Sequence, residues 1–207
     1  QAEKTMDLCL ILHAEHGMNA STFTVRTICA TMSDMFSAIA GGIGALKGPL
    51  HGGANTAVMK TLMELEKMGD KADAVAFTKD KLAKKEKIMG FGHRVYKVFD
   101  PRGYHLQKMA KGLSEETGHE ELYTWSMDML NTMKAEKNID PNVDFFSATV
   151  YYSIGIQPDL YTAIFAMSRI SGWTGHYMEQ AANNRLIRPR ALYVAEKNLD
   201  WVPVEDR

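Results

Sequence analysis

Apolar residues recur at helical spacing along most of this 207-residue chain and hardly ever alternate with polar ones. A helix buries every third or fourth residue, whereas a half-buried strand buries every second one. No alternating run exceeds four residues outside the C-terminal tail, while the stretch from Val58 to Met68 keeps a helical period and stops at Gly69. We therefore predict an all-α fold of many helices, each about ten to twenty residues long, with few strands.

The same spacing, broken at glycines and prolines, predicts the individual helices. Ser21 is the predicted N-cap of the helix that follows the break GMNAS, and Pro141 and Pro158 each precede a helix. A short apolar run, 6–14, comes before that break. Helices are predicted over residues 22–32, 34–46, 58–68, 72–87, 104–113 and 120–137, from Val143 onward, and from Pro158 to about Asn183.

The composition is that of an ordinary globular chain, with 45% apolar and 24% charged residues. A length of 207 residues suits one large or two small domains. The formal net charge of -1 gives no general attraction to nucleic acid or to an anionic membrane, so we predict neither as a partner. Any bound anion must therefore be held by a local cluster of basic groups.

Three features of the sequence bear on the cellular location of the protein. Cys9 and Cys29 lie in apolar helical patterns, and we interpret them as buried free thiols of a reducing compartment. The apolar run 160–178 carries Arg169 at its middle, and because an arginine at a bilayer centre costs about 2.5–3.5 kcal/mol, we predict no membrane span. The opening QAEKTMD lacks the features of a signal peptide and is typical of a trimmed piece of a longer chain. We expect a cytoplasmic location.

Three polar side chains stand in otherwise apolar surroundings. Arg169 is the only formal charge between Leu160 and Met178, and a buried guanidinium needs an anion, either an internal carboxylate or a bound ligand. His13 and His16 lie three residues apart at a helix end, but H-A-E-H is not the zinc-protease spacing and no third ligand cluster follows. We predict no metal site, and capping or core histidines are the commoner outcome.

A histidine and an aspartate lie at predicted helix starts. The N-terminus of a helix lowers the pKa of an imidazole and favours its neutral form, so His51 could polarise a carbonyl oxygen; the alternative is a turn histidine facing water. Asp144 lies in the first turn after Pro141, where a helix-capping function is adequate by itself. Four lysines are predicted to form a solvated helix face: Lys81, Lys84, Lys85 and Lys87.

The stretch GFGHRVYKVFDPR, residues 90–102, is unusually dense in residues with special properties. It holds two glycines, His93, and Arg102 directly after a proline. One interpretation is a surface loop that stops a helix, and the other is an anion site beside a catalytic imidazole. The residues alone predict no more than a helical enzyme or binding protein with an anion pocket.

Six stretches together resemble the signatures of the citrate synthase family. They occur in the family's order and at its spacing, from about Met6 to Pro203, and the chain is most similar to the bacterial short form. Six ordered motifs are far more specific than a single GxGH. The stretches are HAEHGMNASTF, GALKGPLHGGAN, GFGHRVYKVFDPR, PNVDFFSATVYYSIGI, FAMSRISGWTGHYMEQ and NNRLIRPRALY.

The resemblance implies a reaction and the residues that carry it. Acetyl-CoA would condense through its α-carbon with the keto carbon of oxaloacetate, and the citryl thioester would then be hydrolysed, with no cofactor beyond these two substrates. His51 would hydrogen-bond the thioester oxygen, Asp144 would take the α-proton, and His93 would polarise the ketone. The residues implied to bind oxaloacetate and product are His16, Arg102, Arg169 and Arg188.

The resemblance also implies two domains and a homodimer. Residues 1–53 and 151–207 would belong to a large domain that is longer at its N-terminus in the family, and residues 54–150 would form a small CoA-binding domain. Arg188 would reach the site from the partner subunit. The alternatives are a 2-methylcitrate synthase that uses propionyl-CoA, or an inactive dicarboxylate-binding part of such an enzyme. The implied CoA contacts are Ile88, Gly90, Gly92 and Lys97.

Overall fold

The computed structural model describes residues 1–96 and 98–207, and these form nine α-helices and no sheet. The one strand-like pairing in those residues is an isolated bridge between Phe91 and Pro141. The all-α prediction is therefore confirmed. The helices are α1 (Ala2–Ala14), α2 (Ala20–Ala30), α3 (Met35–Leu46), α4 (Ala54–Met68), α5 (Ala74–Ala83), α6 (Pro101–Thr117), α7 (Glu120–Lys137), α8 (Val143–Ser153) and α9 (Tyr161–Ala182).

Side-chain caps fix where several helices begin. The predicted N-cap Ser21 is wrong, because the side chain of Asn19 accepts a hydrogen bond from the backbone N–H of Thr22 and α2 begins at Ala20. An amide or carboxylate oxygen at this position satisfies a backbone donor that the helix itself leaves unpaired. The other side chains that cap in this way are Asp34 on α3, Asp73 on α5, Asp100 on α6 and Asn142 on α8.

Two predicted helices differ most in length from those observed. The stretch 72–87 contains only α5, which ends at Ala83 before Lys85 takes a positive φ of 58°. The stretch 104–113 is extended in both directions, because Asp100 and Pro101 start α6 early and Gly118, in the left-handed region, ends it late. A proline in the first turn costs no hydrogen bond, and its fixed φ suits the helix.

The buried apolar residues fall into two clusters. The larger one is formed mostly by α4 to α8, with Phe145, Phe146 and Tyr151 of α8 almost fully buried. The smaller one joins α2, α3 and α9 around Trp173, whose indole is completely buried. The division into domains at residues 53 and 150 stays a prediction. None of the helices in the described residues is both long enough and apolar enough to cross a membrane.

Candidate active site

One cleft of about 1070 Å³ brings together distant parts of the chain. Its walls come from the α1–α2 connection, the loop before α4, the loop 87–96, the first turns of α6 and α8, and the middle of α9. Apolar side chains such as Leu50, Phe91 and Phe165 line it beside the polar groups. The residues proposed from the sequence that line this cleft are His16, His51, Gly90, Gly92, His93, Arg102, Asp144 and Arg169.

His51 lines the cleft, and its ring is held by contacts with Ser21. The backbone N–H of Ser21 donates to its Nε2 at 3.3 Å, and the Ser21 hydroxyl lies 2.9 Å from the same nitrogen. An N–H can only donate, so Nε2 accepts and the ring proton lies on Nδ1. Burial, with a smaller contribution from the charge of Arg169, lowers the pKa of His51 to about 4. The ring is therefore neutral at pH 7 and is not the water-facing turn histidine of the alternative interpretation.

His93 is held in the opposite tautomer by its own loop. The backbone N–H groups of Val95 and Tyr96 donate to its Nδ1, at 3.1 and 3.0 Å. Because Nδ1 accepts, the proton of the neutral ring lies on Nε2. The ring also stacks on Tyr96, with centroids 4.7 Å apart, and lies 5.3 Å from the ring of His16. This loop therefore presents an oriented imidazole donor rather than merely ending a helix.

Arg102 is oriented by a carboxylate two residues earlier in the chain. Its Nε and one terminal NH2 donate to the two carboxylate oxygens of Asp100, at 3.0 and 2.7 Å. Asp100 is only 1% exposed and also caps α6. A forked pair of this kind fixes the plane of the guanidinium while leaving its outer donors for a second anion. His16 Nε2 lies 3.4 Å from the Arg102 NH2 group.

His16 belongs to the same polar cluster. Partial burial, followed by the charge of Arg102, lowers its pKa to about 4, so the ring is neutral near pH 7. His13 points the other way, with its Nδ1 2.8 Å from the carbonyl oxygen of Cys9, and is a core histidine. No three histidine, cysteine or acidic side chains in the part of the chain that the structure describes are grouped to hold a metal ion.

Arg169 is buried without a carboxylate partner. Its Nε donates to the carbonyl oxygen of His13 at 2.5 Å, and its guanidinium lies 4.8 Å from the ring centre of Phe165. Among residues 1–96 and 98–207 no acidic side chain lies within ion-pair distance, so the structural salt bridge proposed as an alternative is wrong. Burial lowers the pKa of Arg169 to about 10, which leaves it charged at pH 7. A buried cation of this kind indicates an anionic ligand.

Asp144 carries a buried, unpaired carboxyl oxygen. Asn142 caps α8 and accepts from the Asp144 N–H at 3.0 Å, so helix capping by Asp144 is wrong. Its Oδ1 has no hydrogen-bond partner within the described residues. Burial raises the pKa of Asp144 to about 7, even though the charges of Arg102 and Arg169 oppose the shift. A carboxyl group with such a pKa can take up a proton near neutral pH.

Two of the four residues proposed to contact CoA line the cleft. Gly90 and Gly92 line the cleft with positive φ angles, and a Cβ at Gly90 would collide with Val58 and Phe145, so packing and backbone conformation require a glycine there. Ile88 is a core residue and does not line the cleft. Lys97 lies outside the described residues.

Arg188 also lies away from this cleft. It is exposed, and its guanidinium donates to the carbonyl oxygen of Pro189 at 3.2 Å.

Several residues that orient the cleft side chains were not predicted from the sequence. They are Asn19 and Ser21, which lie behind His51, and Asp100, which lies behind Arg102. For Asp100 the signal was the Asp-Pro-Arg order itself, whereas nothing in the sequence joins Ser21 to a histidine thirty residues later.

The cleft therefore combines two oriented guanidiniums, two neutral imidazole donors of fixed tautomer, and one carboxyl group with a raised pKa. The family model "Citrate synthase, C-terminal domain" matches residues 1–190. The chain belongs to the citrate synthase family. Its fold and its motifs are thus those of the C-terminal domain that the family model describes, and the resemblance inferred from six sequence stretches is confirmed.

Relatives within the citrate synthase family carry two different names. "Citrate synthase 2" of Bacillus subtilis is 55% identical over 198 residues, which cover 96% of this chain and 52% of that protein. The "2-methylcitrate synthase" of Shewanella oneidensis is 46% identical, with coverage of 99% and 54%. The chain thus spans about half the length of the curated relatives it matches.

A solved structure of the family shows the same fold. The ternary complex of carboxymethyl coenzyme A and oxaloacetate with citrate synthase from Thermoplasma acidophilum superimposes with a TM-score of 0.88 at 38% identity. The match covers all of this chain and 55% of that one. That citrate synthase is described as binding a dicarboxylate and a CoA thioether together.

Proposed function

We propose that the protein condenses acetyl-CoA with oxaloacetate to give citrate and CoA, the entry step of the tricarboxylic acid cycle. The observation that carries this proposal is the pairing, in one cleft, of Asp144 near neutral pKa with His51 held as an Nδ1 donor. An α-proton of a thioester is far less acidic than a carboxylic acid. A carboxylate can remove it only where the developing enolate oxygen is stabilised at the same time.

In the proposed first step Asp144 takes a proton from the acetyl methyl group, and the electron pair of that C–H bond becomes the enol double bond. His51 stabilises the thioester oxygen through its Nδ1–H. The enol carbon then attacks the keto carbon of oxaloacetate, and the keto oxygen, which accepts a hydrogen bond from Nε2 of His93, takes that proton to become the hydroxyl group of citryl-CoA. The proton removed by Asp144 replaces the one lost from His93, so the condensation gains or loses no net proton. Water finally cleaves the C–S bond of citryl-CoA and releases the thiol of CoA.

The dicarboxylate would be held by the cationic side of the cleft. Arg102 and Arg169 place two guanidiniums there, and the pKa values of His16 and His51, both about 4, keep these neighbours neutral. Two cations with neutral donors suit an anion with two carboxylates and one ketone. Lys87 and Arg94 line the same cleft beside the loop with Gly90 and Gly92, where the phosphates of CoA would meet positive charge.

A homodimer completes the proposal. Arg188 of one protomer does not line its own cleft, and a copy supplied by a second chain would add a third guanidinium for the dicarboxylate. Large apolar side chains that a partner could cover are strongly exposed on α3 and in the tail, as at Phe36 (88%) and Trp201 (75%). An enzyme of this kind, with free cysteines and acetyl-CoA as substrate, would work in the cytoplasm.

A 2-methylcitrate synthase is the second candidate, because a relative with that name is 46% identical over nearly the whole chain. Propionyl-CoA differs from acetyl-CoA by one methylene, which a pocket discriminates by only about 1–3 kcal/mol. The test is oxaloacetate-dependent release of CoA thiol by the full-length protein with each thioester. We expect acetyl-CoA to give the higher kcat/KM. A higher value with propionyl-CoA would establish the second candidate, and no thiol release with either would overturn both.

The raised pKa of Asp144 predicts an acid limb in the rate. Only the carboxylate can take the α-proton, so kcat/KM for acetyl-CoA should fall about tenfold per pH unit below a pKa of about 7. His51, with a pKa of about 4, adds no ionisation there. Burial raises the pKa of Asp144 above its value in the unfolded chain. The stabilising contribution of the protonated carboxyl group is therefore lost as pH rises through about 7, and not as pH falls. As pH falls from 8 to about 6, this group should therefore raise Tm slightly, so the loss of rate would not reflect unfolding, and a flat rate over that range would contradict the assignment.

A further inference from the structure

A hydrogen-bonded chain of side chains leads from the back of α9 to the edge of the cleft. His176 on α9 lies between Arg26 on α2 and Glu15, the residue that follows α1. Its Nδ1 is 3.0 Å from Arg26 NH1, and its Nε2 is 2.9 Å from Glu15 Oε1. Arg26 is in turn paired with the carboxylate of Glu179 and donates to Gln180. None of these side chains has a part in the proposed reaction.

The direction of each hydrogen bond in this chain is fixed. Arginine carries only donors, so Nδ1 of His176 must accept from Arg26 and the ring proton lies on Nε2. That Nε2–H then donates to the carboxylate of Glu15. The side chain of His176 is only 18% exposed, so these bonds are partly shielded from water. Reversing the ring would break both bonds at once, so the two contacts specify a single orientation of the His176 ring, with its Nε2–H directed at Glu15.

Glu15 holds the turn that leads from α1 into the cleft. Burial alone would raise the pKa of its carboxyl, but the hydrogen bond from His176 and the backbone N–H groups of Gly17 and His16 lower it. Gly17 has a φ of 56°, in the region that favours glycine, so the chain bends sharply there. Beside this turn α9 comes so close at Gly172 that a Cβ would collide with the carbonyl oxygen of Ala14.

The turn carries groups that the reaction requires. His16 follows Glu15 directly and lies beside Arg102 in the cleft. Asn19, at the end of the same turn, caps α2, and its side-chain oxygen lies 2.8 Å from the hydroxyl of Ser21, which itself lies 2.9 Å from Nε2 of His51. A shift of about 1 Å in such a turn is enough to lose a binding hydrogen bond. The geometry therefore connects His176 to the ligand-facing side of His16 through Glu15.

We propose that His176 is a positioning residue that, through Glu15, fixes the turn 15–19 and so sets the place of His16 in the dicarboxylate site. The proposal rests on the proposed function for its substrate, oxaloacetate. His176 itself touches no substrate, because it does not line the cleft. Its contribution should appear in oxaloacetate binding and not in acyl-CoA binding or in the chemical step.

The test compares two replacements of His176 in the full-length protein. His176→Phe keeps the ring but loses both hydrogen bonds, so the KM for oxaloacetate should rise about tenfold while kcat and the KM for acetyl-CoA stay within about threefold. His176→Gln can still accept from Arg26 and donate to Glu15, and should restore most of the binding. Glu15→Leu, which has no acceptor for the Nε2–H of His176, should raise the KM similarly, and the double variant Glu15→Leu with His176→Phe should be no worse than either single one.

Tyr177→Phe is the matched control, because the Tyr177 hydroxyl donates to the carbonyl oxygen of Ser33 at 2.9 Å and not to the turn. It should lower Tm without changing the KM for oxaloacetate. Two results would show that His176 serves stability alone and would overturn the proposal. One is a similar change in kcat and in both KM values in His176→Phe. The other is a KM for oxaloacetate in His176→Gln that stays as high as in His176→Phe.

Amide hydrogen exchange of residues 15–19 gives a readout that needs no activity. Exchange in this turn should be about tenfold faster in His176→Phe than in the parent, and should return to the parent rate in His176→Gln. If the parent protein neither binds nor consumes oxaloacetate, the proposed function fails, yet the exchange result still decides whether His176 fixes the turn. Unchanged exchange in His176→Phe would contradict the positioning role.

Discussion

Asp144→Asn should lower kcat by about a hundredfold to ten-thousandfold while the Kd for oxaloacetate changes no more than about threefold. The amide keeps the size of the side chain and its place on α8, but it cannot take a proton. The base acts only in the transition state, so its loss falls on kcat and not on ground-state binding. Steady-state kinetics with calorimetric titration of oxaloacetate measures both quantities on the same preparation.

Asp140→Asn is the control for this variant. Asp140 lies four residues earlier, pairs with Lys134 at 2.8 Å and does not line the cleft, so its neutralisation should leave kcat unchanged. Burial raises the pKa of Asp144 to about 7, so its charged form is costly to bury. The Tm of Asp144→Asn should therefore not be lower than that of the parent. A strong loss of oxaloacetate affinity with kcat intact would assign Asp144 to binding and not to proton transfer.

Arg169→Leu should have the opposite pattern, with oxaloacetate affinity reduced about a hundredfold. Arg169 is 1% exposed and no carboxylate of the described residues pairs with its guanidinium, so the ligand would be its main counter-charge. Hydrogen bonds to a charged group contribute about 1.5–3 kcal/mol, and Arg169 offers more than one donor. Calorimetric titration with oxaloacetate and with citrate measures the loss directly.

Arg169→Lys separates charge from geometry. It keeps the cation but not the planar fork, so its affinity should lie between those of the parent and of Arg169→Leu. Arg185→Leu, an exposed arginine just beyond α9, serves as the matched control and should bind oxaloacetate as the parent does. Equal affinity in Arg169→Leu and the parent would exclude Arg169 from the dicarboxylate site.

The class of fold could be predicted from periodicity, whereas the ends of helices could not be predicted as well. The repeat of apolar residues over 120–137 gave α7 with both ends correct, because a long amphipathic pattern reflects burial of one face. Ends depend on single hydrogen bonds, as at α2, where Asn19 and not Ser21 supplies the cap. The Ser21 hydroxyl instead accepts from Trp173 and faces His51, contacts that only the folded chain creates.

Most of the polar residues proposed from the sequence line one cleft, but their orientations could not be predicted. The sequence pointed to His51, His93 and Asp144 through local anomalies and through family resemblance. The tautomer of His51 and the pKa values of His51 and Asp144 follow from neighbours such as Ser21 and from burial, and these depend on long-range packing. The helix N-terminus was expected to keep His51 neutral, yet burial is the first cause of its lowered pKa, with Arg169 second.

Removal of the α-proton by Asp144 can be measured apart from condensation. Malate has a hydroxyl in place of the ketone of oxaloacetate, so it can fill the dicarboxylate site without accepting the enol carbon. In D2O with malate and acetyl-CoA, the full-length protein should exchange deuterium into the acetyl methyl group well above the uncatalysed rate. Asp144→Asn should lose this exchange, and the parent rate should fall as pH drops below about 7. Undiminished exchange in Asp144→Asn would contradict the account, because another group would then be the base.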